Sequence, residues 1–232
     1  MILIGLDDTD VIDSPGTNQL AKRIVREAAS EWRCQRIVRH QLLFDSRIPY
    51  TSQNGSASIL FEPRGSADPA SLWDLCESIL RSQFVEGSDP GLCLATHVPA
   101  AVMEFGKRCQ HEVVDQVSAQ ELANRNGLKL KGLGGTNGGV IGALAAVGLA
   151  ATGNDGRVVQ HEEWPDDLTG DVAVQQVIVR GIHVIERSSG KVVTTGRVDV
   201  GKHLRPNRRS GSTILFVNPT ESDACWSAVK LK

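Results

Sequence analysis

The feature that most constrains the fold is an apolar segment near the middle of the chain, Val140 to Ala151, which follows the glycine-rich sequence GLGGTNGG at 132–139. Its composition predicts a helix that is apolar on every side, and such a helix must be buried. The segment is too short to span a bilayer. It therefore predicts a buried helix at this place in the chain, and no membrane partner.

The spacing of apolar residues predicts alternating strands and helices over the first 95 residues. Short apolar runs bounded by turn residues indicate strands, and apolar residues three or four apart indicate helices. The predicted elements are a strand at 2–6, a helix at 18–32, strands at 36–44 and 56–61, a helix at 69–84 and a strand at 91–95. The order βαββαβ is that of a ferredoxin-like unit.

The rest of the chain divides into a helical and a β-rich part. Predicted features are helices at 99–108 and 118–124, a boundary loop at 153–164, a β-rich stretch at 174–200 with a Ser189-Gly190 hairpin turn, a basic loop at 201–211 and a last strand at 212–217. We therefore predict an α/β (α+β) protein with a catalytic part at 1–153 and a β-rich C-terminal part at 154–232.

Four aspartates follow the first predicted strand within seven positions: Asp7, Asp8, Asp10 and Asp13. Carboxylates this close shift one another's pKa unless a cation or open solvent separates them. Mg²⁺ prefers oxygen ligands, typically one or two carboxylates together with substrate phosphates. Asp8 and Asp10 on one strand face, with Asp7 nearby, favour a Mg²⁺ site over a solvated acidic turn in which Asp10 or Asp13 caps the next helix.

Thr17 directly precedes the helix predicted from Asn18. Threonine is a favoured N-cap residue, and spacing alone favours that role. A helix N-terminus also attracts phosphate groups, so Thr17 is in addition a candidate to contact or receive a phosphoryl group. The two roles are compatible.

The glycine-rich sequence at 132–139 has five glycines in eight positions. Glycines allow backbone N–H groups to approach a polyphosphate closely, and the buried helix that follows would point its N-terminus at the same ligand. The Gly-Lys-Ser/Thr ending of a Walker A loop is absent. The candidate phosphate-binding residues are Gly134, Gly135, Thr136, Asn137, Gly138 and Gly139.

The third candidate region is the basic loop. It carries Lys202, His203, Arg205, Arg208 and Arg209 and no acidic residue. Its residues are candidates to bind an anionic ligand, a nucleic-acid backbone or a partner protein. The sequence leaves these three alternatives open.

Charge and cysteine content exclude several classes of protein. The net charge of −2 argues against a strongly basic, sequence-independent nucleic-acid binder, which needs surplus Lys and Arg. Five cysteines without a CxxC pair argue against a zinc ribbon and a disulfide framework, and predict reduced, mostly buried thiols. The N-terminal sequence MILIGLDD has no signal-peptide features, so we expect a cytoplasmic location.

Three motifs, in this order, resemble those of the tRNA(Ile) agmatinylcytidine synthetase family. GLDDTD at 5–10 resembles the family's strand-ending GIDDTDS, and Thr17 falls where the family's active-site threonine is expected. RIPYTSQNGSA at 47–57 resembles IPxKTRGNGA, and GGVIGALAAVG at 138–148 resembles RGxIGALAAIG. The resemblance covers about residues 1–150, the kinase-like part of that enzyme.

The resemblance implies an ATP-dependent reaction. In the family, aspartates organise Mg²⁺–ATP, a cytosine base is phosphorylated, and an amine displaces the phosphate. It implies that Asp7, Asp8 and Asp10 bind the metal and that Thr17 is a reactive or phosphate-handling residue. Asn54, in the second motif, joins the candidate substrate-binding residues.

The chain departs from the family where the family carries positive charge. Thr51 and Gln53 stand at basic positions of the second motif, and the basic residue before the last motif is replaced within TNGG. No OB-fold or zinc-ribbon module is predicted. We therefore expect an ATP- and Mg²⁺-dependent transferase or ligase with a small-molecule acceptor, with RNA binding less favoured. The alternatives are a reduced tRNA cytidine-modifying enzyme and a non-catalytic nucleotide-sensing module. The acceptor and the oligomeric state are left open.

Overall fold

A computed structural model describes residues 1–9, 11, 16–48, 53–162, 164, 167–222, 224–229 and 231. In chain order its elements are β1 Ile2–Asp7, α1 Thr17–Ala28, β2 Trp32–Gln41, β3 Gly55–Pro63, α2 Pro69–Ser82, β4 Gly91–Ala95, α3 Ala100–Arg108, α4 Gln116–Arg125, β5 Lys129–Gly132, α5 Val140–Thr152, β6 Arg157–His161, β7 Asp171–Ala173, α6 Val174–Ile178, β8 His183–Glu186, β9 Arg197–Asp199, β10 Asn207–Arg209, β11 Ser212–Pro219 and β12 Cys225–Ala228. The predicted mixed α/β (α+β) class is confirmed.

The first four strands form the predicted ferredoxin-like unit. They lie in the order β4-β1-β3-β2, and each is antiparallel to its neighbour. Apolar side chains of α1 and α2 pack on one face of this sheet against alternate residues of the strands, among them Ile4, Ile59 and Phe61. One sheet face is thereby closed by two helices.

Helix α5 covers the other face and is buried as its composition predicts. Nine of its thirteen residues are buried. Helices α3 and α4 pack outside it, with Phe105, Ala119 and Ala123 in the same apolar cluster as Ala143 and Leu144. The chain thus places α5 between the sheet and two amphipathic helices, so an all-apolar helix has no side facing water.

The first predicted helix was extended too far. Helix α1 ends at Ala28, and Trp32 begins strand β2 instead of ending the helix. Trp32 lies at helical spacing from Ala28, but its indole ring meets the Phe61 ring edge-on at 6.3 Å between centroids. A large apolar residue at an element boundary fits both periodicities, and its packing in the core decides between them.

The predicted boundary loop at 153–164 is wrong over Arg157–His161, which forms strand β6. This strand pairs with β2 on one side and with β10 on the other. Its polar residues reflect strand faces that are only partly covered, which made the segment look like a loop. The sheet continues from β10 through β11, β12, β9 and β7, with β8 beside β11. A division of the chain at residue 153 stays a prediction.

Three further features of the C-terminal part differ from the predictions. Val174–Ile178 is a short helix in a stretch expected to be β-rich, and Asn207–Arg209 is a strand inside the predicted basic loop. Strand β12 follows the strand that was predicted to be the last. The Ser189-Gly190 turn is confirmed, because Glu186 N–H donates to the Lys191 carbonyl at 2.9 Å across it.

Two predictions about the whole chain can be compared with the structure. All five cysteines are free thiols, and three of them are buried, as predicted. Among the described residues, no helix combines the length and apolar character that a membrane crossing needs.

Candidate active site

The two aspartates that end β1 are held in a tight setting. Asp7 is the last residue of the strand and is half-buried, and Asp8 follows with φ of 49°. This left-handed conformation is uncommon for a residue other than glycine, although Asp tolerates it better than most. Backbone conformations of this kind are concentrated at functional sites. Asp10 and Asp13 lie outside the described residues.

Asp7 lies directly against helix α5. A Cβ atom at Gly142 would lie only 1.8 Å from Asp7 Oδ2, so any side chain at position 142 would displace the carboxylate. The glycine therefore allows the first turn of α5 to pack on the end of β1. This contact joins the aspartate motif to the first turn of α5, directly after the glycine-rich segment, and its two residues are 135 positions apart in the sequence.

Thr17 is not the helix cap that its sequence position suggested. Gly16 is the N-cap of α1, and Thr17 is the first helical residue. The Thr17 hydroxyl instead accepts a hydrogen bond from the Thr9 hydroxyl at 3.1 Å, and both side chains are buried. Gly16 is extended and its carbonyl accepts the first N–H bonds of the helix, which places the N-cap one residue before Thr17.

The glycine-rich loop wraps around a carboxylate of the chain itself. The Thr136 N–H donates to Asp89 Oδ1 at 2.5 Å, and the Thr136 hydroxyl donates to Asp89 Oδ2. Gly135 has φ of +56°, and a Cβ atom there would lie 1.6 Å from Asp89 Oδ1. Asp89 therefore fixes the shape of this loop, and the Thr136 N–H is already used.

These segments line one cavity of about 340 Å³. Its wall includes Asp7, Asp8, Thr17, Asn54, Thr136 and Gly138 from the predicted site residues. Of the other predicted loop residues, Gly134 packs on the Phe84 ring and Asn137 lies beneath Gly132, while Gly139 donates its N–H to the Asp89 carbonyl. The structure thus brings the aspartates, the threonine and part of the glycine loop together.

The described wall of the cavity is acidic. It carries four carboxylates, those of Asp7, Asp8, Asp89 and Glu112, and one guanidinium, that of Arg47. Arg47 donates two hydrogen bonds to Asp45, from Nε at 2.8 Å and from Nη2 at 2.7 Å. These bonds hold the pKa of the Asp45 carboxyl well below its usual range. Because negative charge dominates, an anionic ligand would be repelled from this cavity unless a cation came with it.

The donor set fits a hard divalent cation that shares its coordination with a ligand. Asp7 and Asp8 supply carboxylate oxygens, and Mg²⁺ commonly takes only one or two of these, with water and phosphate oxygens completing its shell. Over the residues that the structure describes, no three His, Cys, Asp or Glu side chains form a complete metal site. The predicted third ligand, Asp10, is outside that part of the chain.

Cys109 also lines the cavity, but its thiol is not a nucleophile at neutral pH. Burial raises the pKa of Cys109 to about 12, because the thiolate would lose its hydration. A cysteine is reactive as the thiolate, so this side chain acts as an apolar part of the wall.

The basic residues of the C-terminal part lie away from this cavity. Arg208 donates to Thr213 Oγ1 at 2.9 Å and lines a separate cavity of about 240 Å³. Arg209 donates to the Asn154 carbonyl at 3.3 Å, Arg205 to the Leu204 carbonyl at 2.8 Å, and Lys202 is exposed. None of these four is among the described residues that line the main cavity.

Sequence reasoning missed Asp89, Glu112 and Arg47 as residues of the site. Asp89 precedes β4, and its role depends on β4 lying beside β1. A carboxylate two residues before a strand is too common to be a signal by itself. Arg47 lies in the second motif, and its charge could have drawn attention to it.

No protein-family model matches the chain, and no curated protein matches it either. Solved structures do match. One is described as a tRNA fluorescent labeling enzyme, with 23% identity, a TM-score of 0.56, and coverage of 63% of this chain and 35% of that one. Apo TiaS, a tRNAIle2 agmatidine synthetase, matches with 22% identity, a TM-score of 0.54 and the same coverages. The chain has a TiaS-like fold.

A further match reaches into the β-rich part. The complex of TiaS with tRNA(Ile2), AMPCPP and agmatine matches at 16% identity and a TM-score of 0.54, over 91% of this chain and 51% of that chain. Residues 1–153 make up only about two thirds of this chain, so the match includes residues beyond them. The chain spans between about a third and a half of the length of these TiaS-like structures.

Proposed function

We propose that this chain is an ATP-dependent enzyme that uses Mg²⁺ to transfer a phosphoryl group to an acceptor. The observation that carries the proposal is the acidic cavity, where Asp7 and Asp8 meet Thr17 and the glycine loop although the segments are distant in the sequence. Solved structures of TiaS with a similar fold are complexes with ATP and with AMPCPP, which supports a nucleotide as ligand.

The charge of the cavity gives Mg²⁺ its role in the proposal. Asp7 and Asp8 would hold the ion, and Gly142 leaves the space that the Asp7 carboxylate occupies. When bound, Mg²⁺ neutralises charge on the triphosphate, which is the main requirement for phosphoryl transfer. Without it, four carboxylates would face the phosphate oxygens.

Thr17 is the proposed transfer or positioning residue. Its hydroxyl oxygen accepts a hydrogen bond from the Thr9 hydroxyl, which holds that oxygen in place at the first residue of α1. The N–H groups of a first helical turn attract phosphate, and α1 has no acidic residue in that turn to compete. A phosphoryl group beside Thr17 would therefore meet an ordered hydroxyl and a favourable helix end.

Two candidates for the acceptor remain under this proposal. The loss of basic residues in the second motif favours a small molecule. A reduced RNA-modifying activity is supported by the match that extends over 91% of the chain to a TiaS complex with tRNA(Ile2) and agmatine. The rival from another class is a nucleotide-binding module without turnover.

The test measures release and transfer of label from γ-labelled ATP with Mg²⁺, with cytidine, tRNA and agmatine as acceptors. We expect turnover that falls at least about 100-fold in Asp8→Asn. Thr17→Ser should retain activity that Thr17→Val loses, because Ser keeps a hydroxyl. The matched control is Asp171→Asn, an exposed carboxylate paired with Arg197 on the far part of the sheet.

Each outcome of this experiment separates the candidates. Turnover that survives Asp8→Asn contradicts the metal assignment. Stoichiometric ATP binding without turnover, with every acceptor, replaces the enzyme by the nucleotide-binding module. Label found on tRNA and not on cytidine selects the RNA-modifying alternative.

A further inference from the structure

Three arginines form a row across the sheet beside the acidic cavity. Arg39 of β2 lies directly opposite Arg157 of β6, and directly opposed residues of an antiparallel pair project from the same sheet face. Arg205 directly precedes Pro206, whose carbonyl accepts the Val158 N–H at 2.8 Å, so it lies close to Arg157 just before β10. All three side chains are half-buried. We call Arg39, Arg157 and Arg205 the arginine row.

The chain itself does not neutralise the first two members of the row. Within the described residues Arg39 donates to the Gln41 Oε1 amide oxygen, with both distances at 3.2 Å, and Arg157 has neither an ion pair nor a side-chain hydrogen bond. Burial and Arg157 lower the pKa of Arg39, and burial and Arg205 lower the pKa of Arg157. The guanidinium groups stay charged nonetheless, because their pKa starts so high.

This arrangement costs stability, so it calls for a reason. Like charges directly opposite one another across two strands destabilise a sheet. Two arginines elsewhere, Arg197 paired with Asp171 and Arg180 paired with Asp167, each have a carboxylate within 3 Å. A bound anion would supply to Arg39 and Arg157 what Asp171 supplies to Arg197.

The row begins at the wall of the cavity. A Cβ atom at Gly55 would lie 2.6 Å from Arg39 Nη2, and Gly55 lines the cavity together with Asn54. One end of the sheet is formed by the end of β1, the beginning of β3, the end of β2 and the beginning of β6. Along this end of the strands, the row extends from β2 toward β10, away from Asp7 and Asp8.

We propose that the arginine row binds phosphate groups of the acceptor, so that the acceptor is a phosphate-bearing molecule whose reacting end enters the acidic cavity. Guanidinium groups bind phosphate by two parallel hydrogen bonds, which suits adjacent arginines on a strand surface. The identification of the bound molecule as the acceptor rests on the proposed function. The binding itself does not require ATP or metal.

The experiment measures binding in EDTA and without ATP, so that it does not depend on turnover. The probes are a single-stranded cytidine oligonucleotide, cytidine 5′-monophosphate, inorganic tripolyphosphate and, as the phosphate-free comparison, cytidine. The variants are Arg39→Gln and Arg157→Gln, with Arg197→Gln as a control that removes the same charge from another strand of the sheet. Melting temperatures are measured for all of them.

We expect each variant of the row to bind the phosphate-bearing probes about tenfold more weakly, while Arg197→Gln binds as the wild type does. The melting temperature of Arg157→Gln should rise by about 1–3 °C, because a like-charge pair is removed. Tight binding of the oligonucleotide alone identifies a polymeric phosphate source, and binding of the monophosphate identifies a small one. Either supports the proposal.

Two results would overturn the inference. One is that the row variants and Arg197→Gln bind all phosphate-bearing probes equally, including the case in which none binds. The other is a melting temperature of Arg157→Gln several degrees below that of the wild type, which would make the arginine a structural residue. If the wild type shows no ATP turnover but the row variants bind the phosphate-bearing probes more weakly, as expected, the proposed function is contradicted and the phosphate site stands.

Discussion

Two neighbouring surfaces of one sheet edge carry opposite charge. Among the residues that the structure describes, the cavity at the end of β1 is lined by four carboxylates and one guanidinium that already binds Asp45, whereas the arginine row carries three guanidinium groups. An anion can bind directly to the row, but it can enter the cavity only with a cation. The difference assigns metal-bound nucleotide to one surface and a bare phosphate to the other, as proposed above.

The largest effect is expected from Gly142→Ala, which adds one methyl group where Asp7 Oδ2 lies 1.8 Å away. The carboxylate must move or α5 must shift, so we expect ATP turnover to fall at least about 100-fold and the free energy of unfolding to fall by about 1–3 kcal/mol. Turnover and chemical denaturation measure the two effects. Gly127→Ala, where no atom lies within 4 Å of the added methyl group, is the control for turnover; its φ of +67° adds a strain that the helical Gly142 does not have, so the two stabilities are not compared directly. Equal turnover in both variants would contradict the contact.

The next largest effect is expected from salt concentration, which should weaken oligonucleotide binding at the arginine row. Three phosphate contacts on a single strand give a slope of log affinity against log salt of about −2, so oligonucleotide binding should weaken roughly 15- to 20-fold between 50 and 200 mM salt. Arg157→Gln should reduce that slope by about 0.7. Titrations at four salt concentrations measure it. An unchanged slope in the variant would show that Arg157 does not contact phosphate.

Asp89→Asn tests whether the carboxylate positions the glycine loop. The change weakens the hydrogen bonds from the Thr136 N–H and hydroxyl, so we expect Mg²⁺–ATP affinity to fall about fivefold. Asp68→Asn is the matched control, since Asp68 caps α2 by accepting the Ala70 N–H at 2.9 Å. Calorimetric titration measures both. Tighter nucleotide binding in Asp89→Asn would mean that the carboxylate occupies the place of a phosphate instead of shaping the loop.

The smallest effect is expected at Cys109. Because burial raises the pKa of its thiol to about 12, Cys109→Ser should change turnover by less than about twofold, and the pH–rate profile of the wild type should show no thiolate limb up to pH 9. Initial rates over that pH range measure both. A tenfold loss in the serine variant would place the thiol in the chemistry of the cavity.

The elements that could be predicted from the sequence are those whose residue pattern is compatible with only one secondary structure or one environment. Strand β4 matches its predicted bounds, and the all-apolar composition of α5 could only mean burial. Trp32 and strand β6 were assigned wrongly because their neighbours in the sheet, Phe61 and β2, are distant in the sequence. The spacing of apolar residues within a segment carries no information about packing partners that are distant in the sequence.

The candidate site follows the same rule. Asp7 and Asp8 were predicted from their place at the end of one strand and Thr17 from its place at the start of the next helix, and the structure brings these three residues to one cavity. The contact of Asp89 with Thr136 and the opposition of Arg39 and Arg157 depend on strand order and register. A shift of one residue in β6 would turn Arg157 to the other face, so no pattern in the sequence could have indicated the row.

The central claim is that the acidic cavity accepts a nucleotide only together with a divalent cation. The direct measurement is calorimetric titration of ATP into the wild type and Asp8→Asn, with Mg²⁺ and with EDTA. We predict that the wild type binds ATP at least about tenfold more tightly with Mg²⁺ than with EDTA. In Asp8→Asn, Mg²⁺ should no longer raise the affinity for ATP, and metal-free ATP should bind more tightly than it does to the wild type. Equal affinity of the wild type for ATP in Mg²⁺ and in EDTA would contradict the central claim.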